Sequence, residues 1–195
     1  MRLIFATNNQ HKVQEIRSVV PHPISIITMQ EAGINLEIDE PHNTLEENAA
    51  EKARIIFRLT NSNCFSEDTG LEVASLNGAP GVHSARYAGN EKSFEKNIQK
   101  LLQQLKPHGN RNARFRTVIF LIFKNAEYIF EGFCDGKIIE TPIGTGGFGY
   151  DSVFVPENAI RTFAEMDMKE KNKYSHRRKA VDKLVTFLNN FIYGE

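Results

Sequence analysis

The chain has 195 residues, 41% of them hydrophobic and 25% charged, enough for one compact domain or two closely packed lobes and unlike a disordered chain. Lys plus Arg number 24 and Asp plus Glu number 24; without a bulk basic excess, nucleic-acid polymers and anionic membranes are disfavoured partners. Cys64 and Cys134 lie in apolar or aromatic surroundings with no C-x-x-C spacing, so they read as buried thiols rather than a zinc site or a disulfide framework.

Leu3-Ile4-Phe5-Ala6-Thr7 reads as a buried strand. Its apolar run is too short for a signal sequence, and no stretch approaches the ~20 residues of a membrane span, which predicts a cytoplasmic protein. Residues 12–20 place Val13, Ile16, Val19 and Val20 at helical spacing. The intervening Thr7-Asn8-Asn9-Gln10-His11 therefore precedes a helix, where backbone N–H groups and the macrodipole favour an anion. Residues 25–28 suggest a second strand. Residues 44–59 suggest a long helix with Thr44 as N-cap and Glu47 as its capping-box partner.

Residues 63–67 look like a strand ending at Asp68, and residues 71–74 like a further short one before the turn-rich Asn77-Gly78-Ala79-Pro80-Gly81. Residues 94–105 are amphipathic. Residues 114–123 and 128–140 are β-branched or aromatic around Lys124-Asn125-Ala126-Glu127, which predicts an antiparallel hairpin. A glycine-rich stretch, residues 144–149, leads to Val153-Phe154-Val155, and residues 176–192 form a closing helix with Ala180, Val181, Leu184, Phe187 and Leu188 on its apolar face. The chain thus mixes parallel and antiparallel elements, with no internal repeat or long linker.

Four features could carry chemistry. Residues 31–51 hold seven acidic side chains and no Lys or Arg, whereas residues 161–183 hold eight basic against four acidic. Folded toward each other, such segments suit a metal-bound polyphosphate, although two solvated faces of opposite sign give the same pattern. Glu67-Asp68-Thr69-Gly70 puts carboxylates at a strand end, where catalytic groups of α/β proteins collect, but an acidic turn is also common. Gly144-Thr145-Gly146-Gly147-Phe148-Gly149-Tyr150-Asp151 allows close backbone approach to a ligand beside a ring able to stack on a base, or forms a glycine-rich bulge or hairpin. Lys171-Asn172-Lys173-Tyr174-Ser175-His176-Arg177-Arg178 opens the last helix with basic residues, which is unfavourable unless an anion sits there; otherwise it is a solvated basic turn.

Five segments in order resemble the inosine triphosphate pyrophosphatase family: Ala6-Thr7-Asn8-Asn9-Gln10-His11-Lys12; Thr44-Leu45-Glu46-Glu47-Asn48-Ala49; Glu67-Asp68-Thr69-Gly70-Leu71; Gly78-Ala79-Pro80-Gly81-Val82-His83-Ser84-Ala85-Arg86-Tyr87-Ala88-Gly89; and residues 144–151 with Ser175-His176-Arg177. The resemblance covers nearly the whole chain. It implies an α/β fold, with an elongated mixed sheet flanked by helices and two lobes around a central cleft, within a single domain of residues 1–195 and usually a homodimer.

The resemblance further implies hydrolysis of ITP, dITP or XTP to the monophosphate and pyrophosphate with Mg²⁺. Thr7, Asn8, Asn9, Gln10, His11 and Lys12 would form the phosphate loop. Glu40 and Asp68 would bind metal, and Asp68 would activate water. Thr69 would touch substrate, while Phe148, Gly149, Tyr150, Asp151, Lys171, His176 and Arg177 would hold base and phosphates. Many members have Gly where this chain has Asn8, a residue that tolerates left-handed backbone. Before Thr44 this chain has Asp39-Glu40-Pro41-His42-Asn43 where members often have Glu-Thr-Gly, leaving Asp39 a substitute for Glu40.

Arg177 is the candidate for reading the 6-oxo acceptor that distinguishes hypoxanthine and xanthine from adenine. Two rivals remain: a nucleotide-sensing or RNA-binding module without chemistry, and a phosphatase releasing orthophosphate. Asp68 beside a polyanion argues against the first, since a carboxylate repels such a ligand unless a metal intervenes.

Overall fold

The computed structural model describes residues 1–194. Strand β1 (Arg2–Phe5) buries Leu3, Ile4 and Phe5 and lies parallel to both β2 (Ser25–Thr28) and β3 (Cys64–Val73), with Leu3 opposite Ile26 and Phe5 opposite Phe65. The Phe5 and Phe65 rings stack 4.4 Å apart and fix that register. Parallel neighbours need a crossover, and helix α1 (Gln10–Arg17) provides it between β1 and β2. It begins two residues before residue 12 because Asn9 caps it. It stops at Arg17 rather than running to Val20, since Pro21 disfavours helical backbone at the residue before it.

Helix α2 (Leu45–Thr60) follows the expected bounds closely. The Thr44 hydroxyl accepts the Glu47 N–H at 3.2 Å and donates to Glu47 Oε2 at 2.8 Å. The Glu47 carboxylate thus answers the cap through its hydroxyl. One expectation is corrected at β3: residues 63–67 and 71–74 are not two strands but one, running through Thr69 and Gly70. A Cβ at residue 70 would lie 2.7 Å from the Gly81 carbonyl oxygen. There Gly70 permits β4 (Pro80–Gly81) to pair antiparallel with β3 at Leu71 and Glu72.

Helix α3 (Phe94–Leu105) has its expected limits, capped by Ser93. Strands β5 (Asn112–Phe123) and β6 (Ala126–Ile138) are neighbours joined at Lys124-Asn125, both at positive φ, as a two-residue hairpin turn requires. Strand β7 (Phe154–Pro156) pairs antiparallel with β6, and helices α4 (Met168–Lys171) and α5 (His176–Tyr193) follow. The sheet is mixed, as expected, with order β2-β1-β3-β5-β6-β7 and β4 attached to β3.

By its contacts the chain divides into two compact units. The first comprises Met1–Asp68, Thr117–Gly132 and the chain from Arg177. Its core gathers Leu3, Phe5, Ile16, Phe65, Ile119, Leu121 and Leu184. Inside it Cys64 is fully buried, and the loss of solvation pushes its thiol up to about 12, which leaves it unreactive. The second unit comprises Thr69–Arg116 and Phe133–His176, around Leu71, Leu101, Phe115, Phe154 and Phe163. Among the described residues no helix is long and apolar enough to cross a membrane.

Candidate active site

In the first unit, the middle of β3, rather than the strand end expected, carries Glu67 and Asp68 into a cluster of charges. Lys52 comes from the core-facing side of α2, where Leu45, Asn48, Ala49, Ala53 and Ile56 are also buried. Its ammonium touches Glu40 Oε1 at 2.5 Å and Asp68 Oδ1 at 3.4 Å, and donates to the Glu67 carbonyl at 3.0 Å. Lys12, from the first turn of α1, lies 3.5 Å from Glu67 Oε1.

Arg177 lies at the beginning of α5 and is 3% exposed. Its Nε and Nη2 donate to the two oxygens of Glu67 at 2.8 and 3.0 Å, and Nη1 donates to buried Glu15 on α1.

Burial sets the electrostatics here. Loss of solvation raises the Asp68 carboxyl above its usual range; Lys52 and Lys12 pull it down, while Glu40 and Glu67 push it up. The same burial works against the charge on Lys52, but Asp68, Glu40 and Glu67 outweigh it and its pKa is raised. For Arg177 too, burial opposes the charge and Glu67 and Glu15 overcome it, so the guanidinium stays protonated. Four carboxylates (Glu15, Glu40, Glu67, Asp68) face three cations (Lys12, Lys52, Arg177). When all are ionised one negative charge is left over, which favours a further cation.

The loop expected to bind phosphate is ordered by its own side chains. Thr7 Oγ1 accepts from the Asn9 N–H at 3.2 Å, Asn9 Oδ1 accepts from the Lys12 N–H at 3.2 Å, and Asn8 Nδ2 donates to the Leu36 carbonyl at 3.0 Å. Gln10 and His11 are exposed in the first turn of α1, which contains no acidic residue. That leaves the helix dipole uncompensated by negative charge from its own first turn.

In the second unit, Asp151 is the hub. Its Oδ2 accepts from buried Lys171 Nζ at 2.6 Å and from the Phe148 N–H at 2.9 Å. Lys171 Nζ also stands 5.3 Å from the Phe148 ring centre. Gly147 has φ +69°, and a Cβ there would come within 2.0 Å of Asp151 Oδ2. Glycine is therefore required both by conformation and by space. Residues 144–149 form neither bulge nor hairpin but an irregular loop. Tyr150 is buried, which raises its phenol, and donates to the Ser84 carbonyl at 2.9 Å. The buried His176 ring stacks on Phe115 at 4.6 Å and 13°.

The structure thus gathers Lys12, Glu40, Asp68 and Arg177 in one unit, and Phe148, Tyr150, Asp151, Lys171 and His176 in the other. Gly149 lies in the glycine-rich loop, and half-buried Thr69 follows Asp68 on β3. Glu40 rather than exposed Asp39 reaches the cluster. The basic stretch expected to open the last helix instead spans the end of α4 and the start of α5, and it is explained differently from either sequence expectation. Lys171 and Arg177 are neither solvated nor waiting for a ligand charge; Asp151, Glu67 and Glu15 neutralise them. Lys52 and Glu15 were not predicted. The signal for Lys52 was its place on the apolar stripe of α2, three residues after Ala49 and four before Ile56.

The Ham1 family model matches residues 3–187. The chain belongs to the Ham1 family. Family relatives include a dITP/XTP pyrophosphatase of Christiangramia forsetii, 48% identical over 97% of this chain and all of the relative. Another, from Porphyromonas gingivalis, is 47% identical over 96% of this chain and 97% of the relative. Among solved structures, a Staphylococcus aureus Ham1 protein is 36% identical with a TM-score of 0.88, covering 97% of this chain and 99% of that one. A Coxiella burnetii HAM1 protein is likewise 36% identical, with a TM-score of 0.89 over 97% and 99%. The family expected from the five ordered motifs is borne out, and so is its mixed α/β fold.

The donor set suits Mg²⁺. Among the described residues no three His, Cys, Asp or Glu side chains group as a metal cage. Mg²⁺ does not need one, because it is commonly held by one or two carboxylates with substrate phosphates and water completing the shell. Glu40 and Asp68 already share one cation, the Lys52 ammonium.

Proposed function

We propose that this Ham1-family chain hydrolyses ITP, dITP and XTP to the nucleoside monophosphate and pyrophosphate. The observation that carries the reading is the convergence of Glu40 and Asp68 on the Lys52 ammonium, with Lys12 and the capped loop of residues 7–12 in the same unit. The names of the relatives, dITP/XTP pyrophosphatase, support the same substrates.

Glu40 and Asp68 would hold Mg²⁺, which when bound neutralises phosphate oxygens and so lowers the repulsion that slows attack on a polyphosphate. Lys12 and Lys52 place ammonium groups against those oxygens, and the main chain of Thr7, Asn8, Asn9, Gln10 and His11 cradles them. Asp68 orients a water in line with the α-phosphorus and accepts its proton. The α–β bridging bond breaks and its electron pair leaves with pyrophosphate. Thr69 contacts substrate. Phe148 stacks on the base, and Gly149, Tyr150, Asp151, Lys171 and His176 form its surroundings.

Arg177 was expected to present donors to a purine, but Nε, Nη1 and Nη2 each face a protein carboxylate. Its proposed task is to hold Glu67 and Glu15 in place. Residues 1–195 are proposed to act as one catalytic domain, as the family resemblance implies. The protein is proposed to work as a cytoplasmic homodimer, in keeping with the family resemblance, and without a nucleic-acid polymer or a membrane as partner.

A substrate panel tests the reading. With Mg²⁺, ITP should yield IMP and pyrophosphate, and excess EDTA should stop the reaction. Initial formation of IDP and orthophosphate would replace the reading with the phosphatase rival. Absence of turnover with tight ITP binding would favour the sensing module, and undiminished turnover in EDTA would remove the metal.

A further inference from the structure

Phe94 is a large apolar side chain left 42% exposed at the first position of α3, where the core does not call for it. Its ring centre lies 6.1 Å from that of Phe148 at an interplanar angle of 49°. The helix that carries it is firmly seated in the same unit. Ser93 caps it, and one turn on, buried Asn97 accepts from the Ala88 N–H at 2.6 Å and donates to the Ala85 carbonyl at 3.0 Å. Leu101 and Leu105 are fully buried.

Phe148 has the opposite situation. It is half-buried, sits between Gly147 and Gly149, both at positive φ, and is tied locally through its backbone N–H to Asp151. Its backbone is held at Gly147 and through its N–H by Asp151, so the direction of the ring itself is set by its lateral contacts. Lys171 supplies a polar one, 5.3 Å from the ring centre, and Phe94 an aromatic one from a separate, anchored element.

We propose that Phe94 is a positioning residue for base binding: its ring braces Phe148 so that Phe148 is already oriented when a purine stacks on it. This rests on the proposed stacking role of Phe148. The brace removes part of the ordering cost of binding, so it acts on the affinity for the base and not on the chemistry at phosphorus. It acts on any purine and does not choose between bases.

The test compares Phe94→Ala, Phe94→Leu and Phe94→Tyr in the full chain, using ITP as substrate and tripolyphosphate as a base-free competitor. Phe94→Ala should raise KM for ITP by about 3–10-fold with kcat unchanged, the scale of one aromatic pair. The inhibition constant of tripolyphosphate should not move. Phe94→Tyr, which keeps the ring, should restore KM, and Phe94→Leu should restore it only in part. An unchanged KM in a folded Phe94→Ala enzyme overturns the proposal, as does an equal loss of tripolyphosphate binding, which would mean general distortion. If Phe94→Ala fails to fold, the Leu and Tyr variants decide: equal KM values in both would show that apolar bulk, not the ring, matters, and overturn it. Failure of the parent enzyme to hydrolyse ITP would instead remove the functional reading beneath it.

Discussion

Asp68→Asn is expected to lower kcat for ITP by about 10²–10⁴-fold at saturating Mg²⁺, the range for loss of a general base. Asn keeps the shape of the side chain and an oxygen for Lys52, but it cannot accept the proton of an attacking water and is a poorer metal ligand. The fold should survive. Burial works against the charge on Asp68, so a neutral isostere relieves desolvation, and Lys52 retains Glu40 and the Glu67 carbonyl as partners. Steady-state kinetics beside a thermal melt check this. A folded variant with parental kcat would remove Asp68 from the chemistry.

The second large effect is on stability. Arg177→Ala should destabilise the protein by about 3–5 kcal/mol, the usual consequence of removing one partner from a buried ion pair. It leaves Glu67 and Glu15 buried without the guanidinium that binds both. Arg177→Lys should rescue little, because a single ammonium cannot reproduce the two-pronged contact with Glu67. Activity should fall with ITP and with ATP by the same factor, because what is disturbed is the backbone and carboxylate arrangement at Glu67 and Asp68. Chemical denaturation gives the first quantity and paired kcat/KM values the second. A collapse of the ITP/ATP ratio with unchanged stability would return Arg177 to the task of reading the purine 6-oxo group.

What the sequence disclosed, and what it hid, follows the range of the interactions. The cap at Thr44, the limits of α3 and the hairpin connection depend on residues a few positions apart, and local pattern located them, the connection as residues 124–127 where the turn itself is only Lys124-Asn125. Gly70 looked like a break between two strands because glycine is a local signal of a break. Its actual role, making room for the Gly81 backbone, involves a partner eleven positions away that periodicity does not reveal.

The candidate site shows the same division. Asp68, Glu40 and Lys12 were found through ordered motifs, and they do cluster. By local pattern the basic stretch from Lys171 to Arg178 suggests either a bound anion or a solvated turn, because its neutralising carboxylates are remote: Asp151 is 20 residues from Lys171, and Glu67 and Glu15 are 110 and 162 from Arg177. Lys52 was hidden for a related reason. A lysine in a helix is usually solvated, and its burial makes sense only once Glu40, Glu67 and Asp68 are brought against it.

Water is expected to attack the α-phosphorus of ITP. One turnover of ITP in water enriched in heavy oxygen, followed by mass spectrometry of both products, shows which phosphorus it attacks. A single heavy oxygen should appear in IMP and none in pyrophosphate. Label in pyrophosphate with unlabelled IMP would place the attack on the β-phosphorus and contradict it.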